Sequence, residues 1–295
     1  LVPLAGFVVT QMQRPQLERE AFANLQAIAD LKAGQIESWL DERRNDGVTI
    51  MSSTDFIAQV AALQQGGGSA LLRDDIRSRL IAALDAKQYS DAMLVDVQGK
   101  VLVEIASFQQ LPEQTAALLP SVLASAQPQH SEIFAEADGQ LHLDLVIPLL
   151  RAEQGGRQSV GAVVLRLRPE HFLFPFIQHW PTASASGETL LVRRDGDSVL
   201  FINELRHRQG AGLTLRLPIS RTDYPAAFAV SEIRSGFRQG KDYRGVPVLT
   251  AYRPVSGTNW ILVAKLDRDE VLAPLRELAF WVSLITLLAI ATVGT

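Results

Sequence analysis

VVLRLRPEHFLFP (163–175) and LVAKLDRDEVLAP (262–274) follow the same pattern: a closing strand, a charged turn, then a helix with Pro175 and Pro274 in register. Two further pairs stand upstream in the same order. MLVDVQGKVLV (93–103) matches LLVRRDGDSVLF (190–201), each a hairpin turning on glycine, and LHLDLVIPL (141–149) matches VPVLTAYRPV (246–255), each a strand ending near proline. The offsets are 97 for the hairpins, 106 between Pro148 and Pro254, and 99 for the closing strands. Three matches in one order predict a duplicated module of about a hundred residues.

Each copy reads as an antiparallel sheet with short helices. In the first, Ala92–Val97 and Val101–Ile105 form a hairpin, followed by helical or loop residues 111–127. Glu132–Ala137, Leu141–Leu150 and Val160–Leu167 are then strands separated by Asp138-Gly139 and Gly155-Gly156. In the second, Thr189–Val192 pairs with Val199–Ile202 around Asp195-Gly196. Leu213–Pro218, Ala226–Ile233, Ser235–Phe237, Val246–Val255 and Trp260–Leu266 read as further strands. Pro169–Trp180 is a connector helix, and PTASASG (181–187) is a linker by composition.

Ahead of both copies, Pro15–Met51 reads as one helix. Leu17, Phe22, Leu25, Ala29, Ile36, Trp39 and Leu40 recur at helical steps, and charged residues fill the other faces. At about 1.5 Å per residue it reaches roughly 55 Å, longer than one ordinary domain is wide. The reading is a spine that carries two units, with its apolar stripe the expected seam of a parallel homodimer around Phe22, Leu25, Ala29 and Ile36. Ser52–Ala61 turns into a short helix, residues 64–69 (QQGGGS) form a loop, and Leu71–Ala86 returns to helical spacing.

Both ends are apolar. Leu1–Gln13 carries no charge and reads as the last turns of a transmembrane helix, with a signal-peptide remnant as the alternative. Leu278–Thr295 also carries none and reads as the start of a second transmembrane helix, after a connector from residue 268. The implied domains are 1–14, the spine 15–52, a membrane-distal module 53–180, a membrane-proximal module 181–267, and 268–295.

Composition excludes several functions. The chain of 295 residues is 47% hydrophobic and carries 28 basic against 32 acidic residues, for a net charge of −4. Phosphate backbones need clustered lysine and arginine, so nucleic acid is not a partner. With no cysteine there are no disulfides or thiolate metal sites. The five histidines fit no zinc-protease spacing, no serine sits in a nucleophile elbow, and glycines 66–68 lack the lysine of a phosphate loop. The chain reads as a binding protein rather than an enzyme, and no cofactor or metal is expected.

The binding candidates come from strand alternation. Leu141, Leu143, Leu145 and Ile147 face one way, so His142, Asp144 and Val146 face the other; Val163, Leu165 and Leu167 likewise leave Arg166 on the opposite face. Covered by helices, that second face would hold His142, Asp144 and Arg166 in a small polar pocket, with Tyr89 closing it. Left uncovered, it is an ordinary solvent face. Arg206, His207, Arg208, Tyr243 and Arg253 form an alternative anion-binding cluster in the second copy.

GETLLVRRDGDSVLFINELRHR (187–208) and KDYRGVPVLTAYRPVSGTNWILVAKLDRDEVLAPLREL (241–278) resemble the double Cache sensors of bacterial transmembrane receptors. The likeness extends by architecture over nearly the whole chain. It implies an α+β fold of two PAS-like modules on a long helix, flanked by transmembrane segments. It also implies residues of about 15–277 in the periplasm, a small-molecule ligand, and a cytoplasmic cyclase, phosphodiesterase or histidine kinase output. Amino-acid-sensing members carry an Arg-x-Trp-Tyr type motif and an Asp on the distal closing strand. This chain has neither and carries Arg166 and Arg168 on that strand, which turns the expectation towards a carboxylate or other anion. A ligand-free dimerisation module is the alternative.

Overall fold

The computed structural model describes residues 2–67, 70–87, 89–105, 110–153 and 156–293. The first helix, α1 (Val2–Met51), runs through Pro15 without interruption. The chain divides into two compact units: a first unit, Ser38–Leu173, and a second unit made of Leu1–Glu37 with Phe174–Thr295. The spine is therefore split, its residues to 37 counted with the second unit and those from 38 with the first.

In the first unit, α2 (Thr54–Ala62), a π turn (Leu63–Gly67) and α3 (Ala70–Lys87) precede the sheet. Its strands are β1 (Asp91–Val95), β2 (Val101–Glu104), β3 (Gln129–His130), β4 (Phe134–Ala135), β5 (Leu141–Glu153) and β6 (Gly156–Leu167), with α4 (Glu113–Ser125) between β2 and β3. The order is β2-β1-β6-β5-β3, with β4 also on β5, and every pairing is antiparallel. Met93, Val95, Val146, Ala162 and Val164 share a face, which α4 covers with Leu119 and Val122. On α1, Gly47 lies so close that a Cβ there would stand 3.1 Å from Ile147 Cγ1. β5 is accordingly buried from Leu141 to Leu149 without alternation. A register shift after Leu149 falls opposite Gly161, whose φ of +138° and closeness to the Val95 carbonyl require glycine. The loop expected at 64–69 is partly that π turn; residues 68 and 69 lie outside the described residues.

In the second unit, α5 (Leu173–Gln178) leads to β7 (Glu188–Asp195), β8 (Ser198–Phe201), β9 (Arg216–Pro218), α6 (Pro225–Glu232), β10 (Gly236–Lys241), β11 (Pro247–Pro254) and β12 (Trp260–Asp267). The antiparallel order is β10-β11-β12-β7-β8-β9. Both sheets thus place the first strand of the opening hairpin beside the last strand of the closing hairpin, as a duplication requires. The expectation of a strand over Ala226–Ile233 is corrected: this segment is α6. Pro225 occupies its first turn, three alanines lower the cost of helix, and Ile233 ends it in the left-handed conformation. Ala227, Ala229 and Val230 bury it against Leu190, Val192, Phe201, Ile261 and Val263.

The spine's apolar stripe is used inside the chain. Leu25 and Ala29 are 0% exposed and Ile36 is 1% exposed, so these residues cannot form the dimer seam expected of them. Arg253 on β11 donates to the Asp30 carbonyl at 2.7 Å and to Glu37 at 3.1 Å. Lys32 donates to the carbonyls of Phe176, Ile177 and His179 at 2.8, 2.8 and 2.6 Å, capping α5, while burial lowers its pKa to about 8. The serine-rich 181–187 is pinned: Ser184 Oγ and Ser186 N donate to Glu270 on α7 (Arg268–Val271). α8 (Ala273–Val293) follows, and no described helix is long and apolar enough to cross a membrane.

Candidate functional site

Arg166 is the centre of the first unit's polar face. On β6 it stands in register with Asp91 of β1 and Asp144 of β5, so two carboxylate-bearing positions flank it across the sheet. Arg166 Nε donates to Asp144 Oδ1 at 2.8 Å and Nη2 to Asp144 Oδ2 at 3.0 Å, the two-pronged geometry a guanidinium offers a carboxylate. Nη1 donates to Glu136 Oε1 at 2.7 Å, and Thr115 of α4 donates to Asp144 Oδ2 at 2.6 Å. Arg166 is 1% and Asp144 0% exposed, whereas the Glu136 side chain is 30% exposed. Burial would lower the Arg166 pKa, but the bonds to Asp144 and Glu136 outweigh it and raise it.

His142 lies beside this group. It is 4% exposed, its Nε2 stands 3.8 Å from Glu136 Oε2, and Phe134 packs against the ring with centroids 6.0 Å apart. Burial first, and then the Arg166 charge, lower its pKa and favour the neutral imidazole. The structure therefore brings His142, Asp144 and Arg166 together under α4, as alternation implied, and adds Glu136 and Thr115, which alternation did not.

The second unit repeats the arrangement with other side chains. Lys265 of β12 stands in register with Glu188 of β7 and Thr250 of β11, the counterparts of Arg166, Asp91 and Asp144. Lys265 Nζ bonds Glu188 Oε2 at 2.8 Å and Asp242 Oδ2 at 2.7 Å, and Tyr243 donates to the Glu188 carboxylate at 3.0 Å. The turns correspond atom for atom in the backbone: Glu136 N donates to Gln140 O and Gly139 N to Glu136 O, as Asp242 N does to Val246 O and Gly245 N to Asp242 O. Burial opposes ionisation of Asp242, but Lys265 and then Arg244 hold its pKa below the usual range.

A profile of the Cache domain family matches residues 13–275. The chain belongs to the Cache domain family. Its fold is shared with the extracellular domain of the putative histidine kinase mmHK1S-Z2, at 14% identity over 85% of this chain and 99% of that one, TM-score 0.58. It is also shared with the ligand-binding domain of the Campylobacter jejuni chemoreceptor Tlp3, solved in complex with 4-methylisoleucine, at 12% identity over 88% and 96%, TM-score 0.62. Among curated proteins no relative matches. The chain is a double Cache sensor domain, with a long first helix followed in sequence by two antiparallel sheets.

Within this Cache domain the remaining candidates are dispersed. Tyr89 donates to Asp46 Oδ2 at 3.1 Å, and the Arg43 guanidinium lies 5.7 Å from its ring, so it is tied to α1. A cleft of about 560 Å³ opens there, lined by Trp39, Arg43, Tyr89, Arg168 and His171. In the second unit Arg206, His207 and Tyr243 meet around Glu188, which accepts from the Arg206 N–H and the Tyr243 hydroxyl, while Arg253 serves α1 and Arg208 is exposed, so the expected cluster assembles only in part. Glu188 and Lys265 went unnoticed in the sequence, although Glu188 follows Asp91 by 97 residues and Lys265 follows Arg166 by 99, the offsets of the repeat.

Proposed function

We propose that this Cache domain is the periplasmic ligand-sensing region of a bacterial transmembrane receptor and that its first unit, the membrane-distal one, binds a small anion at Arg166. One observation carries this reading: two nitrogens of Arg166 are held by fully buried Asp144, while the third meets Glu136, a partner on a half-open turn. A ligand carboxylate replacing Glu136 there would gain a charge-assisted hydrogen bond, on the order of 1.5–3 kcal/mol in a desolvated site. The Tlp3 domains with 4-methylisoleucine and with isoleucine bound support small-molecule occupancy of this fold. Binding would pass to a cyclase, phosphodiesterase or histidine kinase output only through differential affinity for two arrangements of α1 and α8. A homodimer, if it uses α1, engages the open side of the helix, where Leu31 is 57% exposed.

The test is a thermal-shift screen of the chain against metabolite anions, followed by calorimetry on the hit. Arg166→Lys keeps the buried charge but loses the fork, and should weaken binding at least tenfold; Arg253→Ala should not. The reverse ranking moves the site to the second unit. A ligand-free dimerisation module is favoured by the internal pairing of Arg166, and a screen without any hit decides for it.

A further inference from the structure

The turn after β4 places a second kind of chemistry beside Arg166. Glu136, Asp138 and His142 bring one ligand atom each within 4.8 Å of one another. Glu136 divides its carboxylate: Oε1 takes Arg166, and Oε2 faces the imidazole at 3.8 Å. Asp138 is exposed, and its Oδ1 accepts the Gln140 N–H at 2.9 Å. His142, 4% exposed, keeps Nδ1 buried with no hydrogen-bond partner among the described residues. Nε2, the nitrogen that faces Glu136, stands beyond hydrogen-bond distance of it, so no hydrogen bond among the described residues holds the ring nitrogen that an ion at this turn would take.

The second unit supplies an internal reference. At the turn with the same backbone bonds and nearly the same glycine φ, +79° at Gly139 and +81° at Gly245, Arg244 stands where the first unit has Asp138, and Val248 where it has His142. Arg244 Nε donates to Asp242 Oδ2 at 2.6 Å, so a side chain carries positive charge to this turn. The first unit has a carboxylate and an imidazole at those two places. Around His142 act one cation, Arg166, and three carboxylates, Glu136, Asp144 and Asp138.

We infer that Glu136 Oε2, Asp138 and a ring nitrogen of His142 bind one divalent transition-metal ion of the zinc class, which does for this turn what the Arg244 guanidinium does for its counterpart. One imidazole and two carboxylates without thiolate suit zinc or nickel better than calcium or magnesium. Bonds of about 2.1 Å place tetrahedral ligand atoms about 3.4 Å apart, close to the present His142–Glu136 spacing, with water completing the shell. With no anion at Arg166, Glu136 keeps Oε1 on the guanidinium while Oε2 meets the ion, so metal binding is tested without the anion of the proposed function.

The experiment titrates the metal-stripped chain with Zn²⁺ by competition against a chromophoric chelator, in the absence of any organic anion. One Zn²⁺ per chain is expected, with Mg²⁺ in large excess failing to displace it. His142→Ala should weaken binding at least tenfold. Asp138→Arg, which copies the second unit's turn at an exposed position, should do the same while circular dichroism and melting stay those of the parent. Zn²⁺ affinity unchanged in Asp138→Arg, no stoichiometric Zn²⁺ on the parent, or equal competition by Mg²⁺ would each overturn the assignment.

Discussion

The two units solve one electrostatic problem with different cations. Arg166 grips both oxygens of fully buried Asp144, with Glu136 beyond and buried Asp91 in register on its other side. Lys265 is a point charge between two buried carboxylates, Glu188 and Asp242; Tyr243 donates to both oxygens of Glu188, and Arg244 donates its Nε to the Asp242 Oδ2 that Lys265 takes and its backbone N–H to Oδ1. A planar fork can release one partner and keep another, whereas an ammonium holding two acids through one atom has less freedom to exchange either. The fork, with one nitrogen on the partly exposed Glu136, stands in the first unit, and the second is cross-linked by its own side chains.

The largest effect that would test this contrast is loss of the cation. Arg166→Met leaves Asp144 buried with Thr115 as its remaining hydroxyl donor and should destabilise the first unit by about 3–5 kcal/mol. Lys265→Met leaves Glu188 with Tyr243 and Asp242 with Arg244, and should cost the second unit less, about 2–3 kcal/mol. Hydrogen exchange on peptides of each unit measures both, and equal losses would break the comparison. Gly161→Ala should cost about 2–3 kcal/mol through the Val95 carbonyl and the positive φ, with the loss confined to first-unit peptides.

A smaller effect is acid sensitivity. Asp242 has its pKa lowered from 3.8 in the fold, so its contribution is present above that value and fades as the pH falls through the folded one. Below about pH 4 the second unit should lose melting temperature more steeply in the parent than in Lys265→Met, as followed by calorimetry. Parallel slopes would remove Lys265 as the cause. The smallest effect sharpens the equivalence of the turns: Gly139→Ala and Gly245→Ala each place a side chain at φ near +80° with nothing within 4 Å. Each should cost about 1 kcal/mol, equal within a few tenths by urea denaturation.

Legibility followed the range of the interaction. Strand alternation placed His142, Asp144 and Arg166 on one face because side-chain direction repeats every two residues. Ala226–Ile233 reads as a strand because a short apolar run fits strand and buried helix alike, and only the packing of Ala227, Ala229 and Val230 on the sheet decides for the helix. The spine's stripe was visible, yet its occupant was not: a seam that meets a sheet and one that meets a second helix have the same periodicity.

The sequence by itself determined the duplication, the hairpins, the long helix and the cation at the same place in each closing strand, all written in local spacing and in offsets of about a hundred residues. Tertiary structure decided which acid answers each cation. Glu136 reaches Arg166 across 30 residues, and Asp242 reaches Lys265 across 23. No local pattern encodes such partners, because they depend on sheet register and on how far each turn folds back over the strand, which the packing of the whole unit sets.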